Sequence, residues 1–359
     1  MNSLNSGHAE QLAQLYAALG DYRGGNRQGG IFEARLGGPG SVPELADLPA
    51  EWQIDLLPFP PTPAQVEALL ELGYVQTETR EDRLTFGRPD GLNVVLLSHD
   101  HGSSFEQKLL WAYLKRSAEA CLDYRVIHLQ EGREAADARW VPGAQAEHVA
   151  RTKFNPLERV AALLRLLETP WMFAAGWALD LHRHAVLSAG PTRPHEDLDI
   201  VIGREAQFAV RDLLLAAGYS VHAVREGMST DWTSPVELPD HQVHAFSPAG
   251  EMLDLMLTDL SGGLWHYRRD LAVTLPLGYA RQFSPLGLPY LAPEAALLFK
   301  ASPSQVRPKD QQDFEGVLPA LDAAARAWLS ARIAEGHVWQ ASLNPAEFEP
   351  SRAGTINPE

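Results

Sequence analysis

Two aspartates one residue apart, Asp197 and Asp199, sit in the run Thr192-Arg193-Pro194-His195-Glu196-Asp197-Leu198-Asp199-Ile200-Val201-Ile202. Read as a strand, it puts both aspartates on one face and Leu198, Ile200 and Ile202 on the other. One face can bury in a core while the other holds two carboxylates side by side. Carboxylates that close repel unless a cation lies between them. Hard divalent cations such as Mg²⁺ take oxygen ligands and often keep substrate phosphates in their shell. The chemistry this pattern could carry is metal-assisted phosphoryl or nucleotidyl transfer; the bland alternative is a solvated acidic strand edge. A third acid, Asp254, lies in a strand Glu251 to Thr258, sharing a face with Met252 and Met256, while Leu253, Leu255 and Leu257 line the other. An unpartnered buried carboxylate is costly. A metal shared with Asp197 and Asp199 would supply a partner, and an edge position open to water would remove the need for one.

The flanking elements must hold these acids in place. Trp171 to Ala175 reads as a short apolar strand, and Gly176 begins a helix. Glycine at such a turn lets a ligand approach the backbone, whose exposed N–H groups attract phosphate; a tight turn with no ligand reads the same. Before it, Asn155-Pro156-Leu157-Glu158 is a helix start, with an asparagine cap, proline first and glutamate third. Leu157, Val160, Ala161, Leu164 and Leu167 then recur at helical spacing, and Pro170 ends the helix. A domain boundary is expected just before Asn155. After the acidic strand come a helix from about Glu205 to Ala217 closed by Gly218, a strand Tyr219 to Val224, and strands Gln242 to Phe246 and Glu251 to Thr258 around Pro248-Ala249-Gly250. The last third is helical: Pro293 to about Lys300, a loop Ser302 to Pro308, then Lys309 to Leu321 and Ala323 to Ala334. The tail, 344–359, is polar and expected to be loose.

The amino-terminal part opens with a helix Glu10 to Leu19 ended by Gly20. The segment Gly24 to Gly30 lacks the lysine and spacing of a phosphate loop and reads as a flexible loop. A strand Trp52 to Leu57 follows, then a capping box at Thr62-Pro63-Ala64-Gln65 opening a helix that stops at Gly73. A hairpin over Tyr74 to Leu96 turning at Pro89-Asp90-Gly91, a long helix Ser104 to Asp123, and a more polar helical stretch Val126 to Phe154 complete it. Two segments resemble each other. Strand, loop and helix lead from Asp55 to Leu72-Gly73-Tyr74 and from Asp199 to Ala217-Gly218-Tyr219, each preceded by a glycine turn. This reads as a duplicated fold. The first copy has Gln53 where the second has Asp197. A neutral amide cannot replace a carboxylate as a charge-neutralising ligand, so the first copy is expected to do no metal chemistry.

The bulk composition narrows the classes. The 359 residues suffice for two or three domains, with ordinary globular content of 45% hydrophobic and 21% charged residues. A single cysteine, Cys121, excludes an intramolecular disulfide framework and a cysteine-based zinc site, and suits a reducing cytoplasm. No basic-then-apolar start and no long apolar run is present, so neither a signal peptide nor a membrane span is expected. The formal net charge of −16 argues against broad nucleic-acid binding and favours cationic small molecules.

Gly176-Trp177-Ala178-Leu179-Asp180-Leu181, the Thr192 to Ile200 run, Leu253-Asp254-Leu255, Pro289 to Glu294 and Arg307 to Phe314 together resemble the aminoglycoside-2''-adenylyltransferase and lincosamide nucleotidyltransferase group, within the DNA polymerase β-like nucleotidyltransferase superfamily. The resemblance covers about Asn155 to Ser342, and departs at Ala175, where the family usually has a further glycine. The amino-terminal part resembles the GrpB family, another branch of that superfamily. It does so at Ala18-Leu19-Gly20-Asp21, Gly40 to Leu45, Ile54-Asp55-Leu56, Leu72-Gly73-Tyr74 and Phe105 to Leu114, with Pro39 at the usual serine and an insertion before Asp55.

The resemblance implies an α+β chain of two nucleotidyltransferase domains, 1–154 and 155–343, each a small mixed sheet flanked by helices, with a helical carboxy-terminal segment. It implies transfer of a nucleoside monophosphate from ATP or another triphosphate to an acceptor hydroxyl. Asp197 and Asp199 would hold Mg²⁺, two ions in all. Asp254 would share the second ion or act as general base. Gly176 would cradle phosphate. Arg193 would neutralise phosphate charge or pair with Asp180, and His195 would orient the loop. Trp177 packs in the core or stacks on a base. Lys300 and Lys309 are candidate nucleotide contacts, Lys309 alternatively pairing with Asp313. The acceptor is a small molecule, the alternatives being RNA, protein, or a non-catalytic regulatory role.

Overall fold

The computed structural model describes residues 6–21, 30–57, 60–80, 83–89, 92–98, 103–225, 228–301 and 306–344. Helices and mixed sheets alternate, an α+β fold. The Gly24 to Gly29 stretch, the Asp90-Gly91 turn, most of the loop before Pro308 and the tail beyond Asn344 lie outside the described residues.

The amino-terminal sheet follows α1 (Ser6–Leu19) and comprises β1 (Gly30–Gly37), β2 (Glu51–Leu57), β3 (Val75–Thr79), β4 (Arg83–Gly87) and β5 (Asn93–Ser98), in the order β1-β2-β5-β4-β3. Helix α2 (Pro63–Glu71) leads from β2 to β3, and β2 pairs in parallel with β5, while the other pairs are antiparallel. The Thr62–Gln65 capping box forms, and Gly73 closes the helix end with φ +84°. The expected hairpin over 74–96 is instead a three-stranded meander, β3-β4-β5.

Strand alternation on β2 sends the apolar Trp52, Ile54 and Leu56 into a core with Leu15, Leu19 and Leu69. The other residues, Gln53 and Asp55, join side-chain networks. Trp111 Nε1 donates to Gln53 Oε1 at 3.3 Å, the Gln53 amide donates to Glu51, and Asp55 pairs with Arg35 at 3.3 Å. A side chain on Gly40 would strike the Leu48 carbonyl, so this glycine serves close backbone packing.

The expected helix Ser104 to Asp123 is two helices, α3 (Ser103–Leu114) and α4 (Ala118–Glu131), because Ser117 caps the second by accepting from the Ala120 N–H. The polar stretch after it likewise breaks at Gly132, φ +93°, before α5 (Arg133–Thr152).

From α6 (Asn155–Leu164) the chain builds an eight-stranded mixed sheet. Its elements are β6 (Trp171–Phe173), α7 (Ala175–Leu187), β7 (Asp197–Gly203), α8 (Gln207–Ala216), β8 (Ser220–Arg225), β9 (Met228–Asp231), β10 (Gln242–Phe246) and β11 (Met252–Thr258). A separate hairpin, β12 (Leu264–His266) and β13 (Thr274–Pro276), and the short α9 (Leu277–Ala280) precede β14 (Arg281–Phe283) and β15 (Pro289–Leu291). Helices α10 (Pro293–Lys300), α11 (Pro308–Val317), α12 (Ala323–Ser330) and α13 (Gln340–Leu343) close the chain. The sheet order is β14-β15-β6-β7-β11-β10-β8-β9. The chain divides into two compact units, one of Met1–Pro156, Arg193–Asp197 and Gln207–Leu255, the other of Leu157–Thr192, Leu198–Ala206 and Met256–Glu359. Among the described residues no helix is long and apolar enough to cross a membrane.

Candidate active site

Strands β7 and β11 are neighbours in the sheet interior. On β7, Leu198, Ile200 and Ile202 are at most 5% exposed, while Asp197 and Asp199 between them are half-buried. On β11 every residue is buried, Asp254 included, and the strand lies between β7 and β10 rather than at an edge. The edge position open to water considered for Asp254 is therefore not the one it occupies. One carboxylate oxygen from each of Asp197, Asp199 and Asp254 lies within 4.8 Å of the others. Three carboxylates gathered so closely form an all-oxygen donor set, which suits a hard divalent cation and would otherwise be repulsive.

Gln242, on β10, donates from Nε2 to Asp254 Oδ2 at 2.7 Å. Its importance is not evident from composition, although strand alternation around the Pro248-Ala249-Gly250 turn places it on the Asp254 face. The amide fixes one oxygen of the carboxylate and so limits its rotation. Replacing it in Gln242→Leu is expected to weaken Mn²⁺ binding in the presence of a non-hydrolysable ATP analogue by about 10- to 100-fold. Paramagnetic resonance of free Mn²⁺ measures this directly, and Gln242→Asn should recover part of the loss.

The turn from β6 into α7 is stitched to the acidic strand, the Ala174 N–H donating to the Asp199 carbonyl at 2.9 Å. Gly176 and Trp177 lie in the first turn of α7 and are buried, with Trp177 5% exposed, as packing in the core requires. Ala175 takes φ +45°, a left-handed conformation that favours glycine. Ala175→Gly is expected to raise stability by about 1 kcal/mol by removing the Cβ penalty, read as a shift in urea midpoint at unchanged slope.

Asp180, 1% exposed, accepts from the Thr192 N–H at 3.0 Å and Thr192 Oγ1 at 2.9 Å, and faces Arg183 at 3.5 Å. This ties the start of the acidic run to α7. Arg193 is half-buried and donates to the Pro194 carbonyl at 3.1 Å; His195 is half-buried in the same run. Lys300, read from the sequence as a nucleotide contact, is buried, and its ammonium is shared between Asp310 at 2.8 Å and Asp313 at 2.9 Å. Asp313, the expected partner of Lys309, thus holds Lys300. Lys309 is half-buried in the first turn of α11.

Residues 156–315, which include all three clustered aspartates, match the family model of aminoglycoside-2''-adenylyltransferase. No curated protein sequence matches the chain significantly. Similar solved structures include the lincosamide antibiotic adenylyltransferase LnuA with lincomycin bound, 18% identical over 46% of this chain and 96% of that one, TM-score 0.35. Another is ANT(2'')-Ia with adenylyl-2''-tobramycin, 16% identical over 50% of this chain and 97% of that one, TM-score 0.35. The family match, not these structural likenesses, supports the class assignment: the chain is an enzyme of the nucleotidyltransferase class, and the segment similar to aminoglycoside-2''-adenylyltransferase is 156–315.

Proposed function

We propose that the chain moves AMP from ATP onto a hydroxyl of a small, aminoglycoside-like molecule. The observation that carries this reading is the clustering of Asp197, Asp199 and Asp254 inside the segment that matches the adenylyltransferase family. Asp197, Asp199 and Asp254 would hold Mg²⁺. When bound, the cation neutralises the triphosphate and stabilises the charge that develops on it in the transition state. The acceptor oxygen attacks the α-phosphorus, the bond from that phosphorus to the bridging oxygen of the β-phosphate breaks, and pyrophosphate leaves with the bond electrons. The hydroxyl proton passes to the Asp254 carboxylate, which Gln242 orients. Buried Gly176 and the N–H groups opening α7 supply the phosphate cradle, and Arg193 adds positive charge in the acidic run. A net charge of −16 favours a cationic acceptor.

Residues 1–154 form, in this proposal, a GrpB-like nucleotidyltransferase fold without catalysis, and 155–343 form the catalytic domain. Two features support an inactive first copy: Gln53 stands where a carboxylate would be needed, and Asp55 is engaged by Arg35. The test supplies α-³²P-labelled ATP and Mg²⁺ with aminoglycosides, lincosamides, RNA and protein in separate reactions. Label transferred to an aminoglycoside is the expected result; label on RNA or protein alone, or on nothing, overturns the proposed acceptor.

A further inference from the structure

A pocket of about 250 Å³ opens beside the start of β6, lined among others by Arg165, Glu168, Thr169, Trp171, Arg281 and Phe283. It is separate from the aspartate cluster. Trp171 pairs with Ile202, whereas the Ala174 N–H reaches the Asp199 carbonyl, so the pocket lies about 10 Å along the strands from that end.

Its two cations are not balanced internally. Arg281 is half-buried, its Nε donating to the Trp171 carbonyl at 2.9 Å and its guanidinium lying 4.8 Å over the Phe283 ring. Among the described residues no carboxylate lies within ion-pair distance of Arg281 or Arg165, although Glu168 lines the same pocket. Arg165 makes only a long contact, 3.5 Å, to the Gly287 carbonyl. Burial lowers the Arg281 pKa with nothing to offset it. Thr169 Oγ1 is buried with no hydrogen-bond partner. Half-desolvated guanidinium beside an unpartnered hydroxyl is an arrangement that an oxyanion completes, since charge-assisted bonds to guanidinium are the strong ones.

We infer that this pocket binds a small oxyanion, a carboxylate or phosphate group, between Arg165, Arg281 and Thr169. Glu168 adds a carboxylate to the wall, which favours a ligand that also bears an amine over a dianion. This inference is independent of the transfer chemistry proposed above.

The full chain, free of nucleotide and in EDTA, is titrated separately with inorganic phosphate, acetate and glycine. Line broadening in ³¹P spectra and saturation-transfer signals from the organic probes report binding. Saturable binding of at least one probe is expected, weakened about tenfold in Arg281→Gln and in Arg165→Gln. Glycine exceeding acetate, with the difference lost in Glu168→Gln, would support the role given to Glu168. Arg281→Gln also loses the Trp171 contact, which supports the sheet edge; the exposed Arg165→Gln leaves the fold intact and carries the test alone. Absence of saturable binding by all three probes, or affinities unchanged in Arg165→Gln, overturns the inference.

Discussion

Asp199→Asn is expected to reduce nucleotidyl transfer by about 10³-fold, roughly 4 kcal/mol of transition-state stabilisation, the scale of losing one preorganised electrostatic group. The substitution keeps the shape of the side chain and removes one of three negative charges gathered within 4.8 Å. The same change should not weaken the fold. In EDTA the three carboxylates repel, so Asp199→Asn is expected to melt at a higher temperature than the wild type under those conditions. Wild-type protein should gain stability from Mg²⁺ and ATP, and the variant should gain much less. Opposite movements of activity and metal-free stability distinguish a charge cluster kept for function from ordinary surface acids, whose neutralisation would change neither.

Lys300→Met is expected to destabilise the protein by about 3–5 kcal/mol, because it removes the ammonium from a buried ion-pair network. Lys300, Asp310 and Asp313 are 7%, 2% and 3% exposed. Arg307 still reaches Asp310 at 2.6 Å, which keeps the loss from being larger. Burial pushes the Asp310 pKa up, but Arg307 and Lys300 outweigh it and hold the carboxyl below the usual range. A depressed carboxylate contributes stability above its unfolded pKa of about 4 and loses it as pH falls through the lower folded value. The acid limb of wild-type stability should therefore be steeper than that of Lys300→Met. Urea unfolding at neutral pH and at successive acid steps measures both effects. Weaker nucleotide binding with unchanged stability would instead return Lys300 to the nucleotide.

The two acidic strands are legible in the sequence because period 2 and a Leu/Ile-rich opposite face are local facts. Placement of Asp254 beside Asp197 and Asp199 depends on β11 joining β7, a pairing of residues more than fifty positions apart. The cost of an unpartnered acid in a strongly apolar strand, together with the family resemblance, makes it readable. Caps are also legible, as at Thr62 and Gly73. Helix breaks are not: Ser117 interrupts an apolar stripe that continues across it, and a single side-chain cap decides against continuation. The strand β1 escapes a sequence reading, since Gly30–Gly37 follows a glycine-rich run with no clear period. The ion pairs of Lys300 are not legible in the sequence, because its partners lie ten and thirteen positions on, in another helix. Arg165 and Arg281 cannot be associated from the sequence at all, being brought together only by the sheet edge.

The most direct measurement is a titration of Mn²⁺ into the full chain with a non-hydrolysable ATP analogue, followed by paramagnetic resonance and repeated with Asp197→Asn, Asp199→Asn and Asp254→Asn. Tight, nucleotide-dependent Mn²⁺ binding is expected in the wild type, weakened in each of the three variants. Equal binding in all four proteins, or none in the wild type, would contradict this expectation.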